Sequence, residues 1–201
     1  RLVNIYMGGK ALSNVWSKER INNDLVLLEK GDLNGTYGNQ ITNSVKDSLL
    51  EKGGLADLSV LVVGSEIPWL EVIALHAGAR HVTTLEYGSI YSEHPQITTM
   101  TPTLFRNLYL EKKLKHFDAV LSFSSLEHSG LGRYGDALNP WGDILSLARC
   151  WCVTNNNGLL LLGVPSGTDT VYFNAHRQYG NIRLPLLTTN WIPTHNITDY
   201  S

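Results

Sequence analysis

The chain is poor in thiols, in net charge and in long apolar runs, and each shortage excludes a class of function. Only Cys150 and Cys152 occur in 201 residues. At an i, i+2 spacing on a predicted helix they point apart and cannot bridge each other. They build no disulfide framework. With no further thiols and no histidines at ligand spacing they build no zinc site either, and core thiols are expected at both positions. Lys and Arg number 16 against 18 Asp and Glu, a formal charge of -2, so no basic field awaits a polyphosphate backbone and no nucleic-acid partner is expected. Lys112, Lys113 and Lys115, the one dense basic run, read as the solvated end of a helix. Nowhere is there a stretch of about 18 apolar residues, so no membrane span is expected. A glycine-rich dinucleotide fingerprint is also missing.

What the chain does have is enough apolar material, 43% of residues, for one core. Residues 1–54, rich in Asn, Gly and Ser, read as an irregular N-terminal extension with one or two helices, one of them over Val45 to Leu50 before Gly53-Gly54. Residues 55–201 read as an α/β domain. Ser59 to Gly64, SVLVVG, is a short β-branched run suited to a strand buried on both faces, and Pro68 to Ala77 follows as a helix. His81 to Tyr87 and Gln96 to Met100 read as further strands, then Pro102 to Leu114 as a helix and Phe117 to Phe123 as a strand. A long polar loop runs from Ser124 to Asn139. Asn139-Pro140 is expected to open a helix whose buried stripe holds Trp141, Ile144, Leu145, Ala148, Trp151 and Cys152. Gly158 to Pro165 is the most apolar strand. Strands and helices alternating in this way predict right-handed crossovers and a doubly wound, mostly parallel, Rossmann-like sheet.

In such sheets the ligand lies beyond the carboxyl ends of the strands, where strand order switches, and this collects Gly64 to Glu66, Glu86, the loop after Phe123 and the turn at Pro165. Glu86 ends its strand where a carboxylate can accept both hydrogen bonds of a ribose diol. Glu66 would repel a pyrophosphate and Pro68 removes a donor, whereas a sulfonium and an ammonium group tolerate that carboxylate. A cofactor of the S-adenosylmethionine type is therefore favoured over a dinucleotide. Should Trp69 or Ile67 fill the space after Gly64, no cofactor would fit.

The tracts VLVVGSEIPWLEVIALHAGARHVTTLEYG and FDAVLSFSSLEHSGLGRYGD resemble the first, second and fourth motifs of class I methyltransferases. From about Leu55 to Trp191, with NPWGD and FNAHRQYGNIRLPLL, the chain resembles the Caenorhabditis protein of unknown function family. The methyltransferase resemblance implies cofactor contacts at Gly64, Ser65, Glu86 and Ser122 to Ser124.

Glu127 and His128 follow the fourth strand, where a methyl acceptor would approach, and His128 has the pKa range to take its proton; an architectural role for the pair is the alternative. Arg133, Tyr134 and Asp136 in the same loop are expected to bind the acceptor or to form a lid. His176, Arg177, Tyr179 and Arg183 suit an anionic acceptor, or the two arginines pair with Asp136 or Asp143 and pin the C-terminal segment. Trp141, Trp151 and Trp191 are expected in the core.

Three functions follow. One is an S-adenosylmethionine-dependent methyltransferase with a small-molecule or glycan-like acceptor. Another is a non-catalytic binding module of the same fold, motivated by the single glycine in the turn and the lack of an acid in ITTMTP. The last, a sugar-nucleotide enzyme, is disfavoured by Glu66, by Pro68 and by the lack of a Tyr-x-x-x-Lys pair.

Overall fold

A computed structural model describes residues 14–195. The segment before residue 55 is built from β1 (Asn14–Trp16), α1 (Lys18–Lys30) and α2 (Gly38–Glu51). Ser17 opens α1 by accepting the N–H of Arg20 at 3.1 Å, and Gly31 closes it in the left-handed conformation, φ 79°. Ile21 and Leu28 share one face of α1 and are fully buried. With Trp16, Val45 and Leu49 they join the same apolar cluster as the strand and helix that follow.

That strand is β2 (Ser59–Val63), followed by α3 (Trp69–His76), β3 (His81–Leu85), the short β4 (Ile90–Ser92) and β5 (Ile97–Met100). Then come α4 (Pro102–Leu110), β6 (Phe117–Phe123), a 3-10 turn over Leu126–His128, α5 (Gly142–Cys152) and β7 (Thr154–Gly163). A hairpin of β8 (Thr170–Tyr172) and β9 (His176–Gln178) precedes α6 (Arg183–Leu187). Five strands form one parallel sheet in the order β5-β3-β2-β6-β7. This is a doubly wound α/β fold of Rossmann type, with its switch of direction between β2 and β6.

Alternation along β2 divides the core. Val60 and Val62 face the side covered by α1, α2 and α3, while Leu61 and Val63 face the side of α4, α5 and α6. Burial of each is worth about 1.5–3 kcal/mol, more than any strand propensity, which is why a continuous apolar run becomes the central strand. Asp118 locks the lower edge of three strands: its carboxylate accepts the Ser59 N–H at 2.9 Å and the Asn155 amide at 2.8 Å. Those bonds, the Ser59 one foremost, hold its pKa below the ordinary value.

The helix after the long loop differs from expectation. α5 begins at Gly142, because the Asn139 side chain caps the N–H of Trp141 in a local turn instead of opening the helix itself. Its inward stripe is Asp143, Leu147 and Cys150; Trp141 and Trp151 are 56% and 48% exposed, and Cys152 is exposed. The stripe is rotated because Asp143 turns inward. It accepts the Tyr179 hydroxyl at 2.9 Å and two bonds from Arg183 at 2.9 and 2.7 Å, and Arg177 lies 3.7 Å away. A charged network thus occupies a position that an apolar pattern assigns to solvent. Trp191, by contrast, packs on the second apolar cluster as expected. No helix among the described residues is long and apolar enough to cross a membrane.

Candidate functional site

A cavity of about 910 Å³ lies beyond the carboxyl ends of β2, β3, β5 and β6, within the size range of small-molecule sites. It gathers residues from four separate turns. Gly64, Ser65, Glu66 and Ile67 come from the end of β2, Glu86 and Tyr87 from β3, Pro102 and Thr103 from β5, and Ser124, Ser125 and His128 from β6. Trp69 and Ile67 border this space without closing it, for Gly64 to Glu66 remain on its wall. Trp69 instead packs edge-on to Phe123 at 5.4 Å.

Glu86 is buried and braces the turn after β2. Its Oε2 accepts the Ser65 N–H at 2.9 Å and its Oε1 the N–H of Tyr87. These bonds orient the carboxylate on the cavity wall. Below the turn, the Ser65 hydroxyl contacts both the Ile67 carbonyl, at 2.8 Å, and Glu71 Oε2, at 2.9 Å.

Gly64 is required on two counts. It has φ 77°, and a Cβ there would lie 1.9 Å from Ser125 Oγ and 2.4 Å from Ser125 Cβ. Gly53 has a similar φ, 95°, but open space around it. Both Gly64→Ala and Gly53→Ala carry backbone strain, and Gly64→Ala is expected to lose about 1–3 kcal/mol more, the cost of displacing Ser125. Paired urea titrations measure the difference; equal losses would show that the Ser125 contact relaxes freely.

In the loop after β6, Ser124 takes a left-handed backbone, φ 49°, and its hydroxyl donates to Glu127 Oε1 at 2.6 Å. His128 Nδ1 lies 2.7 Å from the Ala175 carbonyl, which can only accept, so the ring carries its proton on Nδ1 and presents a bare Nε2. Burial pushes the His128 pKa down to about 4, against the Ala175 carbonyl that raises it, so the ring is neutral near pH 7. Burial likewise holds the Glu127 carboxyl above its ordinary range, with the Ser124 hydroxyl opposing.

Several expected site residues are placed elsewhere. Glu127 does not border the cavity: it is fully buried behind the loop, 3.6 Å from His128 Nε2, and its Oε2 has no hydrogen-bond partner among the described residues. It acts on the site through Ser124 and His128. Ser122 is 1% exposed and donates to the Val63 carbonyl, holding β6 to β2 rather than meeting a ligand. Asp136 accepts the N–H groups of Gly130 at 2.6 Å and Tyr134 at 3.3 Å, which fixes the loop and keeps it off the main cavity. Arg177 is 1% exposed, its guanidinium spent on the carbonyls of Glu127, Ser129 and Asn139 and on Asp143. An acceptor cannot reach it. His176 packs on Tyr172, 4.7 Å between centroids, outside the cavity wall. Arg133 and Tyr134 do border the cavity, with the guanidinium 5.5 Å over the Tyr134 ring.

Three wall elements escaped the sequence reading. Thr36 and Tyr37 come from the N-terminal segment, and Tyr37 lies 5.3 Å from Phe123. Arg106 on α4 and Arg149 in the last turn of α5 also line the cavity, which no local pattern suggests.

No curated protein matches the chain. Among solved structures it is similar to a cyclopropane-fatty-acyl-phospholipid synthase-like protein from Lactobacillus casei ATCC 334, at 14% identity and a TM-score of 0.40, over 69% of this chain and 55% of that one. The chain therefore spans about half of that protein's length. Residues 57–200, which contain all five strands of the central sheet, match the family described as Caenorhabditis protein of unknown function, DUF268, and the chain belongs to that family.

Proposed function

We propose that the chain is an S-adenosylmethionine-dependent methyltransferase acting on a small-molecule or glycan-like acceptor. One observation carries the reading: the turns closing β2, β3 and β6 open onto a single cavity at the switch of strand order, with Glu66 and Glu86 on the wall beside the first turn. The donor set fits the cofactor. Glu86 would take the ribose hydroxyls, the Gly64 to Ile67 turn the methionine tail, and Leu85, Tyr87 and Pro102 the base. A carboxylate beside that turn favours a cationic ligand and disfavours phosphate.

When bound, S-adenosylmethionine supplies a methyl group on a positively charged sulfur. The chain's own contribution is position and proton management. His128, neutral and with Nε2 unprotonated, can accept the proton released by a hydroxyl or amine acceptor. Glu127 stands behind it and offsets the charge that forms on the ring. Ser125, packed on Gly64, supports a second reading, a non-catalytic module of the same fold in which the loop after β6 closes the turn.

Calorimetry with S-adenosylmethionine separates the two, with NAD and a nucleotide-sugar as controls. Binding in the micromolar range, lost in Glu86→Ala and absent for both controls, is the expected result. Binding that survives in Glu86→Ala removes the ribose role. Failure of every ligand to bind selects the non-catalytic module.

A further inference from the structure

Between α4 and α5 the cavity continues as a slot along the face of the sheet. Doubly wound folds ordinarily seal this face with helices, but α4 buries none of its residues although its apolar side chains recur at helical spacing. The floor of the slot is apolar, with Leu85 and Phe105 half-buried and Val63, Leu126, Cys150 and Val153 buried. Its rim is cationic. Arg106 projects from α4 and Arg149 from α5, both exposed, and neither is ion-paired with a carboxylate among the described residues. The carboxylates on the cavity wall, Glu66 and Glu86, stand on the turns after β2 and β3. Arg133, on the loop after β6, is a third cation on the cavity wall.

We infer that the slot binds an anionic amphiphile, its apolar chain on the Phe105–Val153 floor and its carboxylate or phosphate head between Arg106 and Arg149. This rests on the methyltransferase reading only in making the amphiphile the acceptor; the binding itself does not. An apolar floor alone would admit any hydrophobe, whereas two exposed guanidinium groups from two helices select an anion with the reach to touch both.

The test is calorimetry with decyl phosphate below its micellar concentration, with decanol and inorganic phosphate as separate probes. Saturable binding of decyl phosphate is expected, with decanol and inorganic phosphate each weaker by about tenfold or more, the weight of one charge-assisted pair. The Arg106→Gln/Arg149→Gln double variant alters exposed positions only, and circular dichroism checks its fold. It should bind decyl phosphate about tenfold more weakly while binding decanol as the wild type does. Equal binding in wild type and double variant overturns the inference. So does the absence of saturable decyl phosphate binding, or a wild-type dimer that covers this face and excludes the probe. Decyl phosphate binding without S-adenosylmethionine binding would sink the cofactor reading and leave the slot assignment standing; the reverse would sink the slot alone.

Discussion

Asp143→Ala is expected to lower the stability of the chain by about 3–5 kcal/mol, the largest loss foreseen for a single substitution in this protein. Asp143 is fully buried and lies between two guanidinium groups, and its charge is the main compensation of Arg177, which is itself 1% exposed. Burial acts to raise the Asp143 pKa, but the Arg183 bonds, Arg177 and the Tyr179 hydroxyl outweigh it and hold the carboxyl below its ordinary value. Removing the carboxylate leaves a buried cation without its main partner, a far larger cost than the lost packing of the carboxyl group. Arg183→Ala provides the comparison. Arg183 is 19% exposed, so water replaces its partner and the loss should stay near 1 kcal/mol. Urea unfolding of both variants at one pH measures the contrast, and a loss under about 1 kcal/mol for Asp143→Ala would show that Arg177 finds compensation elsewhere. The substitution also reaches the site. Arg177 holds the carbonyls of Glu127 and Ser129, so its release loosens the loop that presents His128.

Glu71→Gln is expected to remove a pH dependence of stability that the wild type carries between about pH 5 and pH 8. Glu71 sits on α3 under the first turn, fully buried, and a count of protons defines its state. The Ser65 hydroxyl has one hydrogen and two acceptor neighbours, the Ile67 carbonyl and Glu71 Oε2. The carbonyl cannot donate, so both contacts are satisfied only when Glu71 is the protonated acid, donating to Ser65 while Thr84 donates to its Oε1. Burial accordingly pushes its pKa from 4.5 to about 7, with the Thr84 bond opposing. Its hydrogen-bond partners, Ser65 and Thr84, are uncharged. Glu86, just past β3, is the charged neighbour that acts on it, and it raises the pKa further.

The sign follows from the folded state holding the proton more tightly than the unfolded chain. The stabilisation is fully present below pH 4.5 and is lost as pH rises through about 7. The loss is on the order of 3 kcal/mol. Glutamine keeps both hydrogen bonds and never ionises, so the variant should match the wild type near pH 5 and exceed it at pH 8. Urea titrations across that range, plotted as the difference between the two proteins, give the answer. A flat difference would mean that Glu71 ionises at an ordinary pH and that the Ser65 hydroxyl is bonded otherwise. The effect bears on the site because the backbone of the same Ser65 holds Glu86.

The strands of the sheet were legible because each is a local pattern. SVLVV and FDAVLSF are apolar runs of strand length, and both became strands within a residue of the expected bounds. The N-terminal helices were legible in principle. Ser17, then Ile21, Leu25 and Leu28 at helical spacing, then Gly31, is a complete helix signal, but many polar residues between them mask it when composition is weighed first. The buried stripe of α5 was not legible. Its first inward residue is an aspartate, and an aspartate turns inward only when partners distant in sequence, Tyr179, Arg177 and Arg183, arrive to meet it.

By itself the sequence determined the order and kind of the main elements and the strand ends that carry Gly64, Glu86 and His128, since periodicity and turn chemistry act over a few residues. Only the tertiary structure decided which of these side chains share a cavity. It withdrew Arg177, Ser122 and Glu127 into the interior and brought Tyr37, Arg106 and Arg149 to the wall. The physical reason is that burial and charge compensation are settled between residues tens of positions apart, through contacts that no local pattern encodes.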